Sequence, residues 1–287
     1  MRHIIEQRVS AVVTPAAGPL AAQTLTPGKM LRTRAAARVL SCNASSGADV
    51  AAVERACAAV EMVHTASLCH DDVIDNAMLR RWQPSLWKSA GPTGAILIGD
   101  LLFASALELM AEGGADGVGA LAAKVREVVS AEAEEELILL GETADEDTCL
   151  RLARCKTGPL FAFTMRSAGG KDAALRAALE EAGYRIGAAY QLADDLLDVF
   201  GGPTSAGKSL GTDALRGKPT LLDAVPLGAE AARGRILQLA RSASDVLGAW
   251  PKAGQGVKEF LALDLQPVFD QCVPGVRVTA EPHDGRC

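Results

Sequence analysis

Aromatic residues are scarce in this chain, at 4% of 287 residues, and its seven cysteines contain no C-x-x-C pair. Without that spacing or a small secreted framework, a zinc ribbon or a disulfide scaffold is excluded, and buried reduced thiols are expected. An odd cysteine count leaves at least one unpaired. No stretch of useful length alternates apolar and polar residues, so no sheet is expected. Excess positive charge is missing too: a net charge of −6 argues against a nucleic-acid partner. No run is read as long enough to span a bilayer. Glu6, Arg8, Pro15 and Pro19 interrupt the Ala-rich stretch from Met1 to Gln23, which breaks any signal-peptide core. The expected location is the cytoplasm.

What is abundant is apolar helix-forming sequence. A hydrophobic content of 49%, rich in Ala and Leu, buries one substantial core and favours helix. Apolar periodicity predicts helices over about 28–40, 48–78, 93–110, 118–140, 145–168, 171–200, 220–225, 229–250 and 253–271. Ser41 to Gly47, Arg80 to Pro92 and Gly201 to Lys218 read as loops. The expectation is an all-α, single-domain helical bundle over residues 1–273, with a polar, disordered tail over 274–287.

Two acidic clusters stand out, Asp71-Asp72-Val73-Ile74-Asp75 and Asp194-Asp195-Leu196-Leu197-Asp198, each of the form D-D-x-x-D. Both lie in helix-periodic apolar stretches, so the i and i+4 aspartates share a face one turn apart. Carboxylates so close repel, and apolar neighbours make the cluster costly unless a cation neutralises it. A single such cluster is usually just a solvated face; two are harder to dismiss. Oxygen ligands point to a hard cation, Mg²⁺ or alternatively Mn²⁺, which completes its shell with water and substrate phosphate. Basic residues lie beside the motifs: Lys29, Arg32, Arg80, Arg81, Lys156, Lys208 and Lys218. The acidic run Glu132 and Glu134 to Glu136 is placed on a solvated or cavity-rim face, with no catalytic role.

From about Gly28 to Leu222 the chain resembles the trans-isoprenyl diphosphate synthases. The similarity rests on Gly28-Lys29-Met30-Leu31-Arg32, the run His64 to Asp72, Arg80-Arg81, Gly99-Asp100, Lys156-Thr157, Gln191, and Gly207-Lys208 through Gly217-Lys218 and Thr220, in matching order and spacing. The resemblance implies a deep central cavity in which both aspartate motifs, Asp71, Asp72 and Asp75 with Asp194, Asp195 and Asp198, hold Mg²⁺. It implies that Lys156, Thr157, Gln191, Lys208, Lys218 and Arg80 grip an allylic diphosphate, while Lys29, Arg32, His64 and Arg81 hold isopentenyl diphosphate. It also implies a homodimer. Taken singly, each basic residue is more often solvated, and a lone histidine in an apolar run is more often a core residue. This sequence departs from the family at Trp82, where Gly is usual, at Trp87, often His, and at Gly158, commonly Ala. Small residues at Ala66 and Ser67, a turn before the first motif, suggest room for a medium or long product.

Two other readings compete. A class I terpene cyclase would share the scaffold but has no need of the second anion site, and a regulatory subunit has no need of two intact acid clusters. Gly202 to Ser209 also satisfies the G-x-x-x-x-G-K-[ST] pattern of a P-loop. A P-loop follows a β-strand, whereas Tyr190 to Phe200 carries helix-spaced aspartates.

Overall fold

The computed structural model describes residues 2–25, 28–80, 83–200, 216–219, 224 and 228–272. Arg81, Trp82, Lys208, the P-loop-like stretch, the helix expected over 220–225 apart from Ala224, and the tail lie outside the described residues.

The chain is all-α, as its composition predicts. Its helices are α1 (Arg2–Thr24), α2 (Leu31–Cys42), α3 (Val50–Ile74), α4 (Leu86–Ala111), α5 (Ala115–Leu137), α6 (Glu146–Ser167) and α7 (Ala173–Phe200). They continue with α8 (Gly228–Asp245), α9 (Pro251–Phe260), a π-helical turn (Leu261–Leu265) and α10 (Gln266–Cys272). Side-chain caps start the central helices: Asp49 accepts from the Ala51 amide and Asp145 from the Thr148 amide. Asp172 caps α7 through the Ala174 and Leu175 amides, and its other oxygen accepts from Trp250 Nε1 at 2.9 Å, tying α7 to the start of α9. The π-turn serves a similar end. It turns Asp264 inward, where Arg34 and Arg38 of α2 donate to it at 2.7 and 2.8 Å.

The structure differs from the sequence expectation in four places. Residues before Lys29 form a helix, α1, whose Ile5, Val9 and Val13 are buried. Within the expected loop 80–92, Leu79–Arg80 pairs antiparallel with Gln83–Pro84, the one hairpin among the described residues. Trp87 Nε1 donates to the Ala77 carbonyl at 2.7 Å and pins its base. α4 starts at Leu86 rather than near 93, because its first turn forms ahead of a kink at Gly91, where φ is 75°. α4 is also long and apolar enough to cross a membrane, contrary to the reading that no run is. It packs instead along α3, α1 and α5.

Two large cores result, beside a small cluster of Ala36, Val53 and Cys57. One joins α2, α6, α7, α8, α9 and α10, and the other joins α1, α3, α4, Leu121 of α5, and Leu160 and Phe163 of α6. The first motif ends α3, in the second core, and the second motif lies on α7, in the first. α6 and α7 touch backbone to backbone. A Cβ at Gly187 falls 2.6 Å from the Gly158 nitrogen, and one at Gly158 falls 2.7 Å from Tyr184 Cδ1. That contact explains why glycine follows Lys156-Thr157 in this chain. Gly187→Ala is expected to force the helices apart and destabilise the protein by about 1–3 kcal/mol. A lowered urea midpoint at unchanged slope checks it, and an unchanged midpoint refutes it.

Candidate active site

A cavity of about 660 Å³ lies between the cores, walled by the Gly28–Arg32 segment, α3 to α7, and Lys218 and Pro219. Phe103, Val128, Leu160, Phe161, Leu197 and Val268 give it an apolar side. Its polar side collects most of the residues singled out in the sequence. Asp71, Asp75, Asp194 and Asp195 line it, with Lys29, Arg32, His64, Arg80, Lys156, Thr157, Gln191 and Lys218.

Two of the six motif aspartates do not line the cavity. Asp72, one residue round the helix from Asp71, is buried and accepts from Arg80 Nε at 3.0 Å, with Nη2 also in contact. It holds the guanidinium that faces the cavity. Asp198 is buried at 4% exposure in the α7 packing. On the same helix, Gln191 accepts from Thr157 of α6 at Oε1, 2.5 Å away, and its Nε2 donates to Asp195 at 2.9 Å, a relay from α6 to the second motif. Arg32 is partly buried, its guanidinium 5.3 Å from the Phe161 ring centroid, and its buried Nε has no partner. Burial lowers its pKa, against the pull of Glu61 and Tyr190. His70, beside the first motif, turns to α4. It bonds the Ile96 carbonyl at 3.2 Å, and Gly99 leaves room for its ring.

The sequence reading understated α5. Glu132, Glu135 and Glu136 line the cavity, whereas Glu134 faces outward to Arg151. The i, i+3, i+4 spacing was the available signal that three of the four share a face. Lys156 lies 3.0 Å from Glu132 and 2.5 Å from Glu135, and Lys218 lies 2.9 Å from Glu136 and 3.2 Å from Asp75. Burial alone would lower the Lys156 ammonium, but Glu135 and Glu132 more than offset it and hold the group well above the ordinary lysine value. Arg216, absent from the sequence candidates, bridges Asp75 and Glu136.

Asp71 shows that this site fits a cation. Burial first, then Glu132 and Asp75, push its pKa from 3.8 to about 7 against the pull of Lys156 and Arg80. A carboxyl that resists ionisation among other carboxylates is one that a divalent ion would relieve. The cysteines match the expectation of reduced thiols: among the described residues five are free, and burial pushes Cys57 and Cys69 up to about 12.

An all-helical bundle with opposed aspartate motifs on two core faces defines the isoprenoid synthase class. The sequence model of that class described as polyprenyl synthetase matches residues 17–245, and the chain belongs to that family. It is 37% identical over 204 residues to a geranylgeranyl diphosphate synthase of Mycobacterium tuberculosis, which covers 68% of this chain and 57% of that protein. A nonaprenyl diphosphate synthase of the same organism is 35% identical over 186 residues, 64% of this chain and 56% of its own length. The chain thus matches little more than half the length of these relatives. A polyprenyl synthase of Caulobacter crescentus CB15, solved with calcium and isoprenyl diphosphate, superposes with a TM-score of 0.79 at 27% identity over 96% of this chain and 93% of that one.

A titration of stability follows from Asp71. Its folded pKa exceeds the unfolded value, so the stabilisation of the protonated form is full below pH 3.8 and is lost as pH rises through about 7. In chelator, Asp71→Asn is expected to stabilise the protein at pH 8 by roughly 2–4 kcal/mol, with the gain vanishing toward pH 4. Thermal unfolding across that range measures it; a gain independent of pH refutes the assignment.

Proposed function

We propose that the chain is a trans-prenyltransferase that condenses an allylic diphosphate with isopentenyl diphosphate into a longer prenyl diphosphate. The observation that carries this reading is the meeting, in one cavity, of both aspartate motifs with Lys29, Arg32, Arg80, Lys156 and Lys218. Lys156, Thr157, Gln191, Lys218 and Arg80 surround the motifs and would orient the allylic diphosphate. Lys29, Arg32 and His64 stand on the α2–α3 side and would hold isopentenyl diphosphate; Lys208 and Arg81 join these sets by resemblance. Mg²⁺, or Mn²⁺, held by Asp71, Asp75 and Asp194 with Asp195, would stabilise the charge on the departing diphosphate. Asp72 and Asp198 support that set from the buried side.

The allylic C–O bond breaks, the double bond of isopentenyl diphosphate attacks the allylic carbon, and a proton leaves to the released diphosphate. Phe103, Leu160, Phe161 and Leu197 keep water from the cationic carbon. The partly buried Arg32, with its unpaired Nε, weighs against a terpene cyclase, which binds one diphosphate only. The family reading also supports a cytoplasmic homodimer.

Turnover of each allylic diphosphate with isopentenyl diphosphate and Mg²⁺, followed by mass of the product, tests the reading. Asp194→Asn is expected to lower kcat roughly 100-fold or more in a folded protein. Arg32→Ala is expected to raise KM for isopentenyl diphosphate about tenfold or more, and that for the allylic substrate far less. Conversion of allylic diphosphate to hydrocarbon without isopentenyl diphosphate refutes condensation.

Product length is set on α3. Ser67 lines the cavity, but Ala66 is fully buried in the second core, so its smallness serves helix packing rather than depth. Ser67→Phe is expected to shorten the product at retained turnover, while Ala66→Phe lowers stability by about 1–3 kcal/mol without shortening it. Unchanged product mass in Ser67→Phe places the floor elsewhere.

A further inference from the structure

The carboxylates of α5 neutralise the very lysines that the proposed function assigns to diphosphate. Glu135, 6% exposed, touches Lys156 and lies 3.6 Å from Lys218. Glu132 lies 3.0 Å from Lys156 and 3.9 Å from Lys218, and Glu136 lies 2.9 Å from Lys218 and also contacts Arg216. Asp75 accepts from both Arg216 and Lys218. Four carboxylates thus surround three cations, an excess of one negative charge, before Asp71, Asp194 and Asp195 are counted on the same wall.

An anion arriving alone meets no unpaired positive charge among Lys156, Lys218 and Arg216. To reach Lys156 or Lys218 it has to displace Glu135 or Glu136, and a buried carboxylate stripped of its partner is strongly unfavourable. A divalent cation on the aspartate wall adds two positive charges, which reverses the sign of the cluster and gives the carboxylates a second partner. We propose that Glu135 and Glu136 are specificity-determining residues that make diphosphate binding conditional on a divalent cation already in the cavity. The inference rests on the reading that Lys156 and Lys218 meet the diphosphate. It adds that these lysines are masked until metal enters, so an unmetallated diphosphate is refused.

Calorimetric titration of the full chain with inorganic diphosphate, in saturating isopentenyl diphosphate so that Lys29, Arg32 and His64 are occupied, once with Mg²⁺ and once with EDTA, tests it. The wild-type protein is expected to bind at least about 100-fold more weakly in EDTA. In Glu135→Gln/Glu136→Gln the penalty is expected to fall below about tenfold, through tighter binding in EDTA rather than weaker binding with Mg²⁺. Equal wild-type affinity in both conditions overturns the proposal, as does a double variant that keeps the full penalty. Loss of affinity by the variant in both conditions also overturns it, since the glutamates would then only position the lysines. Absence of wild-type binding with Mg²⁺ removes the underlying functional reading and this proposal with it, an outcome distinct from the others because it arises in the Mg²⁺ arm alone. Should circular dichroism show the double variant unfolded, Glu136→Gln replaces it. Its residue is 11% exposed and its loss leaves Glu135 in place. A penalty reduced about threefold or more supports the proposal, and an unchanged one overturns it.

Discussion

Carboxylates cannot be crowded against an apolar wall unless counter-charges are held among them, and that requirement organises this protein. Three helices bring acid to one space: α3 with Asp71 and Asp75, α5 with its glutamates, and α7 with Asp194 and Asp195. The answering cations come from elsewhere, from the segment before α2, from Lys156 on α6 and from Arg216 and Lys218 after α7. Lys156 and Lys218, with Glu135 and Glu136 against them, are largely enclosed, which magnifies attraction and repulsion alike. The double core is what allows it. With α3 seated in one cluster and α7 in the other, the acid motifs face a shared space instead of packing against each other.

Much of this was legible in the residues. Helical periodicity and the repeat of D-D-x-x-D are local signals; periodicity located the central helices, and four of the six repeated aspartates line the cavity. What escaped is non-local. The stripe formed by Glu132, Glu135 and Glu136 looks like any solvated acidic face until α6 brings Lys156 against it. Likewise, spacing put Asp72 and Asp198 with the other aspartates; 100° per residue turns Asp72 away from Asp71, whereas Asp198 is directed to the same face as Asp194 and lies buried all the same. Ala66 and Ser67 are adjacent in sequence and equally small, yet only Ser67 meets the cavity, because a helix that packs on both sides assigns neighbours to opposite surfaces. The α1 helix was hidden for another reason: its prolines and Gly18 weaken the local signal, and burial of Ile5, Val9 and Val13 against α3 and α4 supplies what propensity does not.

Relatives of this chain carry names that span geranylgeranyl and nonaprenyl products at nearly equal identity. Overall similarity therefore says little about product length. In this chain the apolar side of the cavity, with Phe103 and Val128, carries none of the described ion pairs, so a substitution there leaves the charged side intact.

The meeting of α6 and α7 at Gly158 and Gly187 has a mechanical consequence. Where two helices are separated by side chains, the layer between them yields, and small displacements are absorbed as rotamer changes. Here backbone bears on backbone, and no compressible layer exists. The pair behaves as one stiff spar, and Lys156, Thr157, Gln191 and Asp195 keep a fixed spacing along it. The opposite bank is joined otherwise: Arg216 links Asp75, at the end of α3, to Glu136 of α5 through side chains alone.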